Sequence, residues 1–180
     1  LLLAADIVGH LPVEGIDHQG GAENPSSAEP ANHRVGAIQY GGYPLLNFAL
    51  NAYRAALDIK DHLRRLIFLS GVTRTGAALK RAEKIMFDRE AGGRTGAEKI
   101  IILMTDGLSY DDPFAAARHL REVRNVTIYV IGLSPDSYYP ELLKIAGSPD
   151  RVFLRNDVDN LIHDLMTLVV SKSCLIKQSI

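Results

Sequence analysis

The sequence has little of several residue and segment types, and each shortage excludes a class of protein. It contains one cysteine in 180 residues, so neither an intrachain disulfide nor a multi-cysteine zinc site can form. No apolar run reaches the ~20 residues that span a bilayer, and the start has no basic signal-peptide segment. Twenty basic and 21 acidic side chains leave a formal net charge of −1. We therefore expect no nucleic-acid partner and no membrane span.

Sequence motifs that carry catalysis are also absent. The chain has neither the G-x-S-x-G turn of serine hydrolases nor the H-E-x-x-H helix of metalloproteases, and its six histidines are scattered. Residues 71–76 have the two outer glycines of a phosphate-binding loop, but Ala77 and Ala78 stand where Lys and Ser/Thr are required. We predict that the protein is not an enzyme. A Rossmann-like nucleotide-binding enzyme is an alternative that this failed motif disfavours.

What the sequence does contain is the composition of a globular domain. Hydrophobic residues make up 47% and charged residues 23% of the chain, both close to the average for soluble domains. Strand and helix patterns alternate from residue 34 to 170, which predicts an α/β fold, with a doubly wound, mostly parallel sheet and helices on both faces. We divide the chain into a partial N-terminal helix and flexible loop (1–33), this domain (34–170) and a C-terminal tail (171–180).

The spacing of apolar residues predicts the individual elements. The predicted helices cover 1–13, 55–66, 78–86, 113–124, 138–146 and a segment that begins near 157. The predicted strands cover 35–39, 45–52, 100–104, 126–133 and 151–154. The unbroken apolar run at 100–104 is typical of a strand covered on both faces. Residues 14–33, rich in Gly, Pro, Ser and Asn, predict a loop, and Cys174 is expected beyond the last helix.

Four segments, taken in order, resemble successive motifs of the von Willebrand factor type A domain. They are RVGAIQY at 34–40, GVTRTGAAL at 71–79, KIIILMTDG at 99–107 and VTIYVIGL at 126–133, followed by the helix near 157. The resemblance implies a metal-ion-dependent adhesion site that three loops build at the upper edge of the sheet. By that resemblance Thr73 and Asp106 are ligands of a Mg²⁺ or Mn²⁺ ion, whose open position takes a carboxylate from a protein partner.

The first of the three loops has no counterpart in this sequence. The family's Asp-x-Ser-x-Ser motif occurs nowhere in the chain, so we predict an N-terminally truncated domain that lacks a central strand and has an incomplete metal site. Two oxygen ligands, one of them neutral, should hold a hydrated ion weakly, and no cofactor is expected unless the first loop is supplied. Alternatively, Thr73 caps the following helix and Asp106 stabilises the turn after its strand.

The resemblance implies a non-enzymatic protein-binding or adhesion module of the kind found in the extracellular matrix. Such a module would be secreted and would bind a matrix protein through an acidic side chain. An intracellular scaffold within a larger assembly is the alternative, because a lone cysteine also suits a reducing compartment. Extracellular members often carry a closing cysteine after the last helix, which is the place of Cys174. Asn125 begins an Asn-Val-Thr sequon and is a candidate glycosylation site in an exported protein.

Overall fold

The structure is a computed structural model that describes residues 2–11, 33–67 and 69–175, with the backbone alone for residues 2 and 168–175. Its helices are α1 (Leu2–His10), α2 (Ala56–Arg65), α3 (Thr75–Ile85), α4 (Phe114–Glu122), α5 (Tyr139–Ala146) and α6 (Val158–Leu175). Its strands are β1 (Ala37–Gln39), β2 (Leu45–Phe48), β3 (Lys99–Thr105), β4 (Val126–Gly132) and β5 (Val152–Leu154). Their order confirms the predicted alternation of strands and helices.

The strands form two sheets. β3, β4 and β5 make a parallel sheet in that order, in which Lys99 lies opposite Val126 and Val130 lies opposite Val152. β1 and β2 form an antiparallel hairpin. Among the described residues no strand joins β1 to β3. In the described part of the chain the hairpin and the parallel sheet are therefore two separate sheets.

The main hydrophobic core lies between the parallel sheet and the helices that connect its strands. Parallel strands need a crossover connection, which α4 provides between β3 and β4 and α5 between β4 and β5. The largest side chains of this core are Leu79 of α3, Leu103 of β3, Leu120 of α4, Ile128 and Val130 of β4, and Leu142 and Ile145 of α5. β4 is buried along most of its length because it has a strand on each edge. This core holds the carboxyl ends of β3 and β4 side by side.

β3 is less buried than its unbroken apolar sequence predicted. Leu103 and Thr105 are buried, but Ile100, Ile101 and Ile102 are only half-buried. Within the described part of the chain β3 pairs with β4 alone, so its other edge has no neighbouring strand to cover it. The strand is where the apolar run predicted it, but the expectation that it is covered on both faces is met only in part, because Ile100, Ile101 and Ile102 keep some exposed surface.

The described residues group into two compact units. One contains α1, α2 and α6 from residue 160 onward, and in it α1 packs against α2, with Ile7 and Ile59 among the buried residues. The other contains both sheets together with α3, α4 and α5. The residues of the candidate site below all belong to this second unit.

Two predicted element boundaries differ from the structure. The strand expected over 45–52 ends at Phe48, because Phe48 pairs with Ala37, the first residue of β1, and the partner strand stops there. The last helix continues to Leu175, so Cys174 lies inside α6 and not in a tail that begins at 171. Residues 170–175 contain no Gly or Pro that would end the helix. The loop predicted at 14–33 lies almost entirely outside the described residues.

Candidate functional site

Three loops meet at the carboxyl ends of β3 and β4, where open α/β sheets bind their ligands. They are the loop before α3, the loop after β3 and the loop after β4, and together we call their surface the loop face. The Tyr110 N–H donates to the Thr73 carbonyl oxygen at 2.8 Å. The Tyr138 N–H donates to the Asp106 carbonyl oxygen at 3.2 Å. These two hydrogen bonds tie the loop after β3 to both of its neighbours.

Both residues expected to bind a metal ion lie on the loop face. Asp106 directly follows β3 and is exposed, while Thr73 precedes α3 and is half-buried. The main-chain bonds of Tyr110 and Tyr138 connect the two positions through a single loop. The structure thus brings the two residues onto one surface.

Asp111 caps α3 from the neighbouring loop. The Gly76 N–H donates to its Oδ1 at 2.9 Å and the Ala77 N–H donates to its Oδ2 at 2.7 Å. The Ser109 hydroxyl donates to Oδ1 at 2.8 Å. A carboxylate at a helix N-terminus satisfies the first N–H groups and complements the positive end of the helix dipole. The alternative prediction that Thr73 caps α3 is therefore wrong.

The same contact bears on the phosphate-loop pattern at 71–76. In a phosphate-binding loop the N–H groups at the start of the helix point at the ligand. Here the N–H groups of Gly76 and Ala77 are already bonded to the Asp111 carboxylate. A phosphate would have to displace a negative charge from this position, which weakens the case for a nucleotide site.

The hydrogen bonds to Asp111 shift its ionisation. Burial raises the pKa of the Asp111 carboxyl, whereas the hydrogen bonds from Ser109, Gly76 and Ala77 lower it. The combined effect of the hydrogen bonds is larger, so the pKa lies below its ordinary value. The unfolded chain therefore binds this proton more tightly than the folded chain does. The ionised carboxylate stabilises the fold above the unfolded pKa near ~4, and that stabilisation is lost as the pH falls through the lower folded pKa.

We expect Asp111→Ala to lower the free energy of unfolding by about 1–2 kcal/mol at neutral pH, because it removes the carboxylate that caps α3. The deficit should shrink as the pH falls below ~4, because the unfolded chain takes up the proton first, and it should vanish once the folded carboxylate is also protonated. Urea titration on both sides of this pH measures it. Asp136→Ala is the matched control, since Asp136 is exposed in the loop after β4. An equal loss in Asp136→Ala, or a deficit independent of pH, would contradict the assignment.

A second carboxylate, that of Glu141, accepts hydrogen bonds from the loop after β3. The Ser109 N–H donates to both carboxylate oxygens of Glu141, at 3.0 and 3.2 Å. Glu141 lies in the first turn of α5 and is almost completely buried. Ser109 is therefore fixed by Glu141 through its N–H and by Asp111 through its hydroxyl. The loop that carries Asp106 is anchored to two different helices.

The Tyr40 side chain lies beneath the same loops. Its hydroxyl donates to the Met104 carbonyl oxygen at 3.4 Å. Burial raises the pKa of the Tyr40 phenol, and the negative charges of Asp106 and Glu141 act in the same direction. Tyr40 is therefore neutral at physiological pH and acts as a hydrogen-bond donor.

The loop face carries several exposed apolar side chains, which the sequence analysis missed. Leu108 is 73% exposed and Tyr110 is 74% exposed, and Val72 and Tyr138 are also exposed. Leu108 has a φ of 56°, a left-handed conformation that is costly for a bulky side chain. The Arg74 guanidinium lies 5.6 Å from the centroid of the Tyr110 ring. An exposed apolar group on rigid loops is typical of a protein-interaction surface.

The donors on the loop face do not by themselves fit a divalent ion. In the described part of the chain, no three His, Cys, Asp or Glu side chains are close enough to hold a metal ion together. Asp106 offers one carboxylate and Thr73 one neutral hydroxyl, whereas Mg²⁺ requires a near-octahedral set of oxygen ligands. Water or further oxygen ligands would have to supply the remaining positions.

Asn125 lies in the turn between α4 and β4, before the amino end of the strand whose carboxyl end reaches the loop face. Its side chain is exposed, and its φ of 53° is a left-handed conformation that asparagine tolerates better than most residues. Thr127, the third residue of the sequon, is half-buried in β4.

Comparison with known proteins gives consistent matches. A family model described as the von Willebrand factor type A domain matches residues 16–167. Von Willebrand factor A domain-containing protein 2 of Mus musculus is 33% identical over 147 residues, which cover 80% of this chain and 18% of that protein. The collagen alpha-1(XII) chain of Notophthalmus viridescens is 31% identical over 137 residues, which cover 73% of this chain and 14% of the collagen chain.

A solved structure has a similar fold. Proximal thread matrix protein 1 from the mussel byssus, whose structure is described as having a zinc-occupied MIDAS motif, aligns with a TM-score of 0.71 at 24% identity. The alignment covers 92% of this chain and 38% of that one. This chain therefore spans less than two fifths of the length of each of these three proteins. Among the described residues, no helix is both long enough and apolar enough to cross a membrane.

Proposed function

This chain belongs to the von Willebrand factor type A domain family, and from that membership we propose that it is a non-enzymatic protein-binding and adhesion module. Its ligand binds the loop face. The observation that carries the proposal is the conformation of Leu108. Its large apolar side chain is exposed to solvent, and its backbone is held at a positive φ. Strain of this kind persists where the surrounding structure enforces it, and it is common at binding sites.

The proposed interface combines an apolar centre with polar groups around it. Burying Leu108 would contribute about 1.5–3 kcal/mol to binding, and the exposed rings of Tyr110 and Tyr138 add amphipathic surface of the type found at binding hot spots. The exposed Arg74 offers a positive charge to an acidic side chain of the partner. We therefore propose a protein ligand that presents an apolar residue next to an acidic one.

We propose an extracellular matrix protein as the partner and an extracellular location for the chain. Two relatives support this choice by their names, one being a collagen chain and the other a thread matrix protein. Binding of the chain to immobilised type I collagen, fibronectin and laminin tests it, with serum albumin as the reference surface. Saturable binding to a matrix protein and none to albumin is expected. Binding to albumin as strong as to the matrix proteins would contradict the proposal. Absence of binding to all three matrix proteins would contradict it as well.

We propose Thr73 and Asp106 as the residual ligands of a metal-ion-dependent adhesion site. Their position on one surface supports this assignment, as does the exposed Asp106 carboxylate. The site would take Mg²⁺ or Mn²⁺ if further oxygen ligands were supplied from the family's first loop.

Calorimetric titration of this chain with Mg²⁺ and with Mn²⁺ is expected to show no binding at micromolar concentrations, because two protein oxygens do not replace the hydration shell of such ions. Asp106→Ala should give the same titration curve as the wild type. Micromolar binding that Asp106→Ala abolishes would show that the site is complete.

We also propose that Asn125 accepts an N-linked glycan when the chain is secreted. Its exposed turn supports this, and its place before β4 would keep the glycan away from the loop face. Secretion from a eukaryotic host should give a band that an N-glycosidase shifts to lower mass and that Asn125→Gln also lowers. An unshifted band in the secreted wild type would rule the site out.

A further inference from the structure

A group of basic side chains lies where the end of α4 packs against the end of α5. Arg118 and Arg121 are one turn apart on α4 and therefore share a face of that helix. The Arg121 guanidinium donates to the carbonyl oxygen of Lys144 at 3.3 Å and to that of Ile145, both in the last turn of α5. Arg151 ends the short 3-10 turn that follows α5. We call Arg118, Arg121, Lys144 and Arg151 the basic patch.

The positive charges of the basic patch act on one another. Burial lowers the pKa of the Arg121 guanidinium most, and the charges of Arg151 and Arg118 lower it further. Glu122, the next residue of the chain, acts in the opposite direction. Arg121 nevertheless stays protonated at every physiological pH. Three guanidinium groups therefore share one region of the surface, and an anion bound there would relieve their mutual repulsion.

Arg121 is held in place, while the basic groups around it reach into solvent. Its side chain is half-buried and lies against the left-handed turn at Gly147, where an added Cβ would clash with Arg121 Nε. Arg118 and Lys144 are exposed, and Arg151 is half-buried. A guanidinium fixed by hydrogen bonds loses little conformational entropy when it binds an anion.

The chemistry of the patch favours an anionic polymer over a protein surface. No large apolar side chain is exposed in α4 or in residues 144–151, all of which the structure describes, whereas protein interfaces have an apolar centre. Guanidinium groups bind sulfate and similar oxyanions through two parallel hydrogen bonds. The exposed carboxylates of Glu122 and Asp150 lie next to the patch in the chain. The patch therefore suits a few discrete anionic groups and not the continuous phosphate backbone of a nucleic acid.

We propose that the basic patch binds a sulfated glycan of the extracellular matrix, with the three guanidinium groups on its sulfates and Lys144 adding a fourth positive charge. The proposal rests on the extracellular location proposed above, but not on protein binding at the loop face. α4 and α5 both begin beside the loop face, and the basic patch lies toward their other ends. The glycan and the protein ligand can therefore bind at the same time.

Heparin fragments are the probe, titrated into the whole chain produced in bacteria, where Asn125 carries no glycan. We expect saturable binding that weakens by at least about tenfold when NaCl is raised from about 50 to about 200 mM, because bound cations are released on association. Chemically desulfated heparin of the same length should bind at least about tenfold more weakly. Equal affinity for desulfated heparin, for polyglutamate or for duplex DNA of the same length would overturn the proposal.

Arg118→Gln combined with Arg151→Gln should weaken heparin binding by at least about tenfold, and Arg118→Gln alone by about threefold. Both variants keep Arg121, which holds the end of α5, and thermal unfolding checks the fold. Arg54→Gln combined with Arg64→Gln is the matched control, since both of these arginines are exposed and the same two charges are removed. Equal losses in the two double variants, or no loss in either, would overturn the proposal.

Leu108→Asp separates this proposal from the one for the loop face. It changes the loop face alone, so its affinity for heparin should stay within about twofold of the wild type, whatever its effect on protein binding. A large loss of heparin binding in Leu108→Asp, with none in the double variant of Arg118 and Arg151, would assign the glycan to the loop face and overturn the proposal.

Discussion

Leu108→Asp is expected to weaken binding to whichever matrix protein the chain binds by at least about tenfold, or about 1.4 kcal/mol. The change removes the most prominent apolar side chain of the loop face and places a second carboxylate beside Asp106. Aspartate adopts positive φ more readily than leucine, so the loop should keep its conformation. Binding assays on the immobilised protein measure the change in affinity, and thermal unfolding checks that the fold is intact.

Val123→Asp is the matched control for this variant. Val123 is 67% exposed and follows α4, before the amino end of β4, so it lies away from the loop face. Its replacement adds the same charge to an equally exposed apolar position. Affinity should stay within about twofold of the wild type. An equal loss in both variants would show that net charge, and not the loop face, determines binding.

Gly76→Ala is expected to destabilise the chain by about 1–3 kcal/mol, although alanine is normally favoured over glycine in a helix. An added Cβ would clash with the Asp112 carbonyl oxygen and would lie 3.1 Å from Asp111 Oδ2. Relief of this contact requires the loop after β3 to move away from α3, which breaks the cap on that helix. Urea titration measures the loss, and binding to the matrix protein should weaken with it.

Gly9→Ala is the control, and we expect it to change the free energy of unfolding in the opposite direction. Gly9 is exposed in α1, and an added Cβ would contact only the flexible end of the Lys60 side chain. Because that end can move at little cost, the helix preference of alanine should stabilise the chain by about 0.5–1 kcal/mol. Destabilisation of similar size in both variants would mean that the contact with Asp112 is not the cause.

Local patterns were sufficient to predict most elements. The apolar spacing of 78–86 and 138–146 predicted helices that the structure confirms as α3 and α5, and Gly147 ends α5 in a left-handed conformation, as expected of a terminal glycine. The ordered motifs also predicted the family. These features depend on residues close to one another along the chain, which a single sequence displays directly.

The supports of the candidate site could not be predicted in the same way. Asp111 caps a helix that begins 36 residues earlier, and Glu141 binds the N–H of Ser109, 32 residues away. Only the fold brings these groups together, so sequence spacing carries no signal for them. The half-burial of β3 was missed for a related reason, since an apolar run indicates a strand but not how many strands flank it.

Hydrogen exchange of the chain alone and bound to the matrix protein with the highest affinity tests most directly whether the loop face is the binding surface. The account predicts slower exchange in 70–74 and 106–110, with no change in α2 or in the turn at Asn125. Protection confined to α2 or to that turn, with unchanged exchange in the loops that carry Thr73 and Asp106, would contradict it.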